Sequence, residues 1–480
     1  MADKAGIIPI QNFNKSGLSF SKWSGVKDSL YKMIGWDPHS FPGIIQVEQK
    51  LTKDSGSTVD ELCRVAVAST NGSQYWFSYT SGKVWERTSG GTWQLVHTTT
   101  PAAGAAGCLG ALEYQGRIWW ATQSRLHYIT VPLANDNNWA VDAVEDAGTF
   151  GLTNPSYHPM IEQNRVLYIG DGNYVAQVDG TTFSQTALDI KSPNNIESLG
   201  KIGTDLLIGT YADNQAFSCR IVRWNTWSLD YTDSDDIPEI SVNAFLPADN
   251  MVLVQCGNQG NIYYYDGRNL ELYGRIPGDY SSTKYGTVWP NSVAGRKGQI
   301  LFGFSNGSGN STDQLVYRIA RYSRDLDYIM DAPYPISERS GGEFVLSGIE
   351  IGALLVVGNN LYASWKNSST YGIDKLDASN KLDGAYFETR VTIVNREEQA
   401  NFSEAIIAYA DLPASTAVNF YLDKNYEGYG SALSKFTDSQ RNVIRTKDAA
   451  TEFTTLQLKV KATTSSNDGP KIESGAIVIR

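Results

Sequence analysis

The residues best suited to chemistry in this 480-residue chain are few and far apart. Four histidines, His39, His97, His127 and His158, are too few and too scattered to suggest a His-based metal centre or a catalytic triad. His127, in RLHYI, reads as a strand residue with a satisfied ring. The acidic run Asp230, Asp233, Asp235 and Asp236, in SLDYTDSDDIPE, has carboxylates at the short loop spacing that suits a hard cation such as Ca²⁺. It lacks the glycine and terminal glutamate of an EF-hand loop, so a solvated acidic loop is the simpler expectation. Cys63, Cys108, Cys219 and Cys256 are widely spaced with no CxxC pair, which points to buried thiols in a reducing compartment rather than to disulfides or zinc. There is no Walker loop, G-x-S-x-G elbow or H-E-x-x-H motif, and with 44 glycines a GxGxxG match carries no weight.

One short stretch, SYTSGKVW at residues 78–85, resembles the Asp-box turn of sialidase-like propellers, S/T-x-D-x-G-x-x-W. Ser78, Gly82 and Trp85 are in register, but Thr80 stands where the Asp belongs. Such boxes are rim turns, so even a complete one would report fold before catalysis. A sialidase-like site would also need an arginine cluster and a Tyr/Glu nucleophile pair, and no spacing in the sequence groups those residues. The chain is therefore expected not to be an enzyme, and to hold no cofactor or metal.

Composition says what must position any site. With 27 Tyr, 12 Trp, 16 Phe and 44 Gly, the chain is rich in what strands and tight turns use, and no stretch is dominated by strong helix formers. All-β is the expected class. The net charge of −11, with 51 acidic and 40 basic side chains and no basic run, argues against wrapping nucleic acid through its phosphates. The start, MADKAGIIPIQNF, lacks the apolar core of a signal peptide, and no apolar run approaches the roughly 20 residues of a membrane helix. A soluble chain made in a cytoplasm is expected.

Internal repetition is the main organising signal. Seven units, each an apolar strand followed by a turn and a second strand, begin at Tyr75, Ile118, Val166, Leu206, Val252, Ile300 and Leu361. Their spacings, about 43, 48, 40, 46, 48 and 61 residues, are those of a four-stranded propeller blade. Turn pairs such as Asp171-Gly172, Gly257-Asn258 and Asn306-Gly307 accept positive φ. A lone blade exposes two apolar faces and is stable only when stacked in a closed ring. Seven blades are favoured and six are possible, because the last spacing is the longest. The loop NGSGNSTDQ in the sixth unit reads as a flexible tip suited to partner contacts.

From Tyr386 onward the segments YFETRVTIV, SEAIIAYADL, AVNFYLD, TTLQLKVKA and ESGAIVIR predict a C-terminal β-sandwich. The expected organisation is 1–60 as an N-terminal arm with one or more ring-closing strands, 61–378 as a β-propeller and 379–480 as the sandwich.

SFPGI at Ser40–Ile44, after an N-terminal arm and before a propeller-length array, resembles the start of tail nozzle proteins of short-tailed bacteriophages. The closing β-rich stretch, from Phe387 through NFYLDKNYEGYG to SGAIVIR, is similar to that family in order and spacing. The resemblance implies a virion protein: a subunit of a homo-oligomeric ring or nozzle, six copies by the family's pattern. Such a ring would enclose the DNA channel, let DNA pass without specific binding, and dock portal, adaptor and other tail proteins. A net negative subunit agrees with a channel through which a duplex must slide. A second class stays open, a glycan-binding or glycan-cleaving propeller for host-surface recognition. There Trp119, Trp120, Tyr263, Tyr264 and Tyr265 would supply stacking faces, although aromatics alternating within strands are expected to be blade core.

Overall fold

The computed structural model describes residues 6–10, 17–19, 21–23, 29–41, 43–99, 107–131, 139, 151–153, 155–180, 182–212, 219–248, 251–278, 280–281, 285–306, 315–321, 328–338, 349–393, 400–432, 434–437, 444–447 and 452–479. The loop 306–314 read as a contact tip lies, beyond Asn306, outside them. Two compact units are formed, one from 53–314 and 347–375, the other from 1–52, 315–346 and 376–480. Residues 315–346, counted with the repeats by the sequence pattern, thus belong to the second unit.

The first unit is a seven-bladed propeller. Its innermost strands are Cys63–Ala68, Gly110–Tyr114, Met160–Gln163, Asn194–Ile202, Val242–Ala248, Val293–Arg296 and Ile349–Val357. Each contacts the next, and the last contacts the first, which closes the ring. All seven repeat starts read from the sequence fall on the second strand of a sheet. That strand lies in the middle of its blade, covered on both faces, so it carries the most apolar run of each unit.

Recurring glycines set how closely the blades approach. Gly170, Gly209 and Gly303 occupy the same place in the second strands VLYIGD, DLLIGTYA and QILFG. A Cβ added at each would come within 2.6 Å of Ile196, 2.6 Å of Val242 and 2.2 Å of Ile351, residues of the next blade's inner strand. Only glycine leaves room for that β-branched neighbour. Between the first two blades, Tyr75, Phe77 and Val84 pack with Ile118, Trp120 and Ile129 in one buried cluster. Each such side chain contributes about 1.5–3 kcal/mol by leaving water.

Ring closure uses the segment just ahead of the first blade. In the last blade Ile349–Val357 pairs with Asn360–Asn367, which pairs with the strand that starts at Thr370. The N–H groups of Asp54 and Ser55 donate to the Ile373 carbonyl of that strand at 2.9 and 3.3 Å. The Asp54 carboxylate also accepts from Arg87 Nε at 2.6 Å and Trp93 Nε1 at 2.9 Å, both on the first blade. First and last blades are pinned together through this one residue, its side chain bonded to the first and its backbone N–H to the last.

The second unit is a sandwich of two sheets to which both chain ends contribute. One sheet orders Trp36–Phe41, Ile44–Val47, Lys471–Ile479, Ala400–Asp411 and Ile444–Lys447, with Gly6–Ile10 also paired to Lys471–Ile479. In the other, Leu30–Ile34 lies between Tyr328–Tyr334 and Tyr386–Thr389, followed by Thr455–Thr463 and Ala417–Lys424. The N-terminal segment read as an arm is therefore largely sandwich. Trp36–Phe41 and Ile44–Val47 pair locally, but the partners of Gly6–Ile10, Leu30–Ile34 and Ile44–Val47 in the sheets lie hundreds of residues away, and local patterning cannot reveal them. Trp36, fully buried, packs edge-on to Phe387 at 5.8 Å.

Within this unit Arg318 is 2% exposed and is surrounded by carboxylates: Asp331 at 2.6 Å, Glu48 at 3.0 Å and Asp37 at 3.2 Å. His39 Nε2 lies 3.2 Å from Asp331, and Ser40 donates to Asp37. The strand WDPHSF, which runs into the SFPGI stretch, thus folds around a buried ion cluster. Among the described residues there is no helix, hence none long and apolar enough to cross a membrane.

Candidate functional site

Inner strands of a propeller are buried, so a charged residue in one must be turned toward the axis or paired. Here β-bulges do the turning. In the first blade Cys63 faces Ser78 and Val65 faces Phe77, leaving Arg64 as the extra residue. In the fourth, Ile196 faces Thr210 and Ser198 faces Gly209, leaving Glu197. An extra residue leaves the ladder and has its side chain re-aimed. Arg64 and Glu197 both line a pocket of about 230 Å³, together with Tyr79, Tyr157, Trp289 and Asn291.

The Arg64 guanidinium is sandwiched between two rings, 3.7 Å from the Tyr79 centroid and 3.6 Å from that of Trp289. Stacking of this kind suits the planar, weakly hydrated guanidinium. Its Nε and Nη2 donate to Glu350 Oε1 at 3.1 and 2.5 Å, and its charge is neutralised there. Nη1 takes no part in that pair. Trp289 Nε1 is buried and has no hydrogen-bond partner among the described residues.

Glu197 is 4% exposed, and burial holds its carboxyl up at about 8, only partly offset by the hydrogen bond that the Tyr157 hydroxyl donates to it. At neutral pH the group is mostly the uncharged acid. Burial and the neighbouring Glu197 push the Tyr157 hydroxyl well above the ordinary phenol range. Tyr157 also packs edge-on to Tyr211 at 5.5 Å and tilted against Trp289 at 6.4 Å.

The pocket therefore gathers a Tyr–Glu pair and an arginine, residue types a sialidase-like site would need. It departs from that pattern in a decisive respect, since it holds a single arginine already paired to a carboxylate. No cation is left over to bind an anionic substrate.

The residues singled out in the sequence lie elsewhere. SYTSGKVW forms the turn between the second and third strands of the first blade. Ser78 Oγ accepts from the N–H groups of Thr80 and Ser81 at 3.0 and 3.1 Å. The carboxylate missing at Thr80 is supplied by Glu61, which accepts from Ser81 N at 3.2 Å and from Ser78 Oγ. Trp85 is buried in the core.

Among the four histidines, His127 stacks on Trp120 at 5.3 Å, and burial lowers it to about 4. His158 bonds the carbonyls of Gly170 and Gln123. In the acidic run, Asp235 accepts from the Tyr265 hydroxyl at 2.7 Å and Asp236 pairs with Arg220 at 2.8 Å, so these two carboxylates are committed to separate partners. No metal-holding cluster occurs among the described residues. All four cysteines are free and buried. Trp119, Trp120 and Tyr265 are blade core, while Tyr263 and Tyr264 are half-buried.

Sequence reasoning missed Arg64, Glu197 and Glu350. The signal was present in LCRVAVA and SGIEIGALL, where one charge interrupts an apolar inner strand, and in NNIESLGKI, where Glu197 follows Ile196 and Lys201 lies near the strand end.

No family model and no curated protein matches the chain. Among solved structures it is similar to the WD40 β-propeller domain of Doa1, at 11% identity over 68% of this chain and 97% of that one, with a TM-score of 0.44. A streptogramin B lyase matches at 13% identity over 68% and 97%, TM-score 0.45. A virginiamycin B lyase from Staphylococcus aureus matches at 13% over 68% and 99%, TM-score 0.46. At such identities the likeness concerns the propeller fold and nothing of the chemistry.

Proposed function

We propose that the chain is a structural virion protein of a bacteriophage, one of several copies in a tail ring or nozzle that encloses the DNA channel and docks neighbouring tail proteins. The observation that carries this reading is the origin of the second unit. The two stretches that resemble the nozzle family, Ser40–Ile44 and the chain from Phe387 on, lie in one sandwich: Ile45 pairs with Ile472, and Leu30–Ile34 with Tyr386–Thr389. Resemblance at two distant places thus concerns a single unit. The net charge of −11 supports it further, because a subunit lining a channel should hold a passing duplex weakly.

Light scattering and negative-stain imaging of the purified chain, alone and with the other proteins of its particle, test the reading. Rings or tubes with a central channel wide enough for a duplex are expected. A chain that stays monomeric and joins no particle would overturn it.

A further inference from the structure

We propose that the pocket lined by Arg64, Tyr157, Glu197, Trp289 and Asn291 is a binding site for one neutral sugar ring, a function independent of the ring-subunit reading. Charge excludes the other ligand classes first. Arg64 is neutralised by Glu350 at 2.5 Å, so among the described residues that line the pocket an anion finds no unpaired cation, and a metal ion finds no cluster of ligands.

What remains is a set of groups that both donate and accept. Arg64 and Asn291 line it with N–H donors, while Asn291 and Glu197 bring side-chain oxygens that accept. Hydroxyl groups, which do both, answer such a lining better than carboxylates or ammonium groups.

Shape agrees. Tyr79, Tyr157 and Trp289 line the pocket with the aromatic surface on which the apolar face of a sugar ring packs. The volume, about 230 Å³, lies below the roughly 300–1,000 Å³ of sites for drug-sized molecules, as a single ring requires.

Saturation-transfer NMR on the full chain with glucose, galactose, mannose and N-acetylglucosamine tests the proposal, with glucuronate as an anionic control. Saturable binding of at least one neutral sugar is expected, with a dissociation constant around the millimolar range. Trp289→Phe keeps a ring over Arg64 but cuts back the aromatic surface of the pocket, and Asn291→Ala removes a donor and an acceptor. Each should weaken binding about tenfold or more while thermal melting shows the fold intact. An oligosaccharide ending in the preferred sugar distinguishes a glycan terminus from free sugar, and binding of either form supports the site. No saturable signal with any neutral sugar, tighter binding of glucuronate, or binding that both variants leave unchanged would overturn it.

Discussion

Inside the sandwich unit the Arg318 guanidinium and the Asp331 carboxylate meet at 2.6 Å, with side-chain exposures of 2% and 0%. Asp37 and Glu48 complete the cluster, so one guanidinium is shared by three carboxylates. Arg318→Ala would leave those carboxylates buried without it, a defect worth about 3–5 kcal/mol. Urea denaturation of the variant should show that loss through a lower midpoint. A loss below about 1 kcal/mol would mean that the cluster is solvated.

Two buried carboxyls should bend the pH–stability curve in opposite directions. Burial alone would raise Asp37, but Arg318 and hydrogen bonds from Ser40, the His39 N–H and Gln46 bring it down to about 2. Its folded value is depressed, so its contribution is present above the ordinary 3.8 and is lost as pH falls through about 2. Glu197 is raised from 4.5 to about 8, so its favourable contribution is complete below 4.5 and is lost as pH rises through 8. Glu197→Gln should therefore flatten the decline between these values, by at most about 1.4 kcal/mol per pH unit. Chemical denaturation of both proteins across that range measures the difference, and parallel curves would show that Glu197 does not titrate there.

Glycine substitutions separate crowding from conformation. A Cβ at Gly209 would sit 2.3 Å from Ser198 Oγ and 2.6 Å from Val242 Cγ1, so Gly209→Ala should cost about 1–3 kcal/mol. At Gly295 a Cβ meets nothing within 4 Å and φ is not in the left-handed region, so Gly295→Ala should be neutral or stabilise by up to about 1 kcal/mol. Thermal melting of the two variants should fall on opposite sides of the parent or nearly so.

Restoring the Asp-box aspartate should not help this chain. Glu61 already accepts from Ser78 Oγ and Ser81 N, and a carboxylate at Thr80 would crowd it with like charge. Thr80→Asp is expected to be neutral or destabilising, and Glu61→Ala to cost about 1–3 kcal/mol. The double variant should recover part of that loss. A gain in melting temperature from Thr80→Asp alone would contradict the assignment of Glu61 to the role.

The ring was legible in the sequence because each blade's second strand is covered on both faces and reads as an apolar run, from QYWFS to NLYASWKN. The sandwich was legible only in its C-terminal strands. Leu30–Ile34 and Trp36–Phe41 are short and irregular, and they become strands by pairing with Tyr386–Thr389 and Lys471–Ile479 or their neighbours, which periodicity cannot register. The pocket was hidden for a related reason. A charge inside the strand marks Arg64 and Glu197, but the bulge that shifts each out of register leaves no trace in the alternation, so the direction of the side chain could not be read.

The segment that closes the ring carries a consequence for synthesis. Asp54 emerges from the ribosome about 320 residues before Ile373, the residue to which its N–H bonds. At roughly 5–20 residues per second the opening segment waits about 16–64 s for its partner. During that interval the last blade does not exist and the first is open on one flank, with Trp76 and Trp85 lacking the Tyr362 and Ile373 that later cover them. Completion is thus a terminal event in translation, and a nascent chain cut short anywhere before residue 373 is left with an unsealed apolar seam.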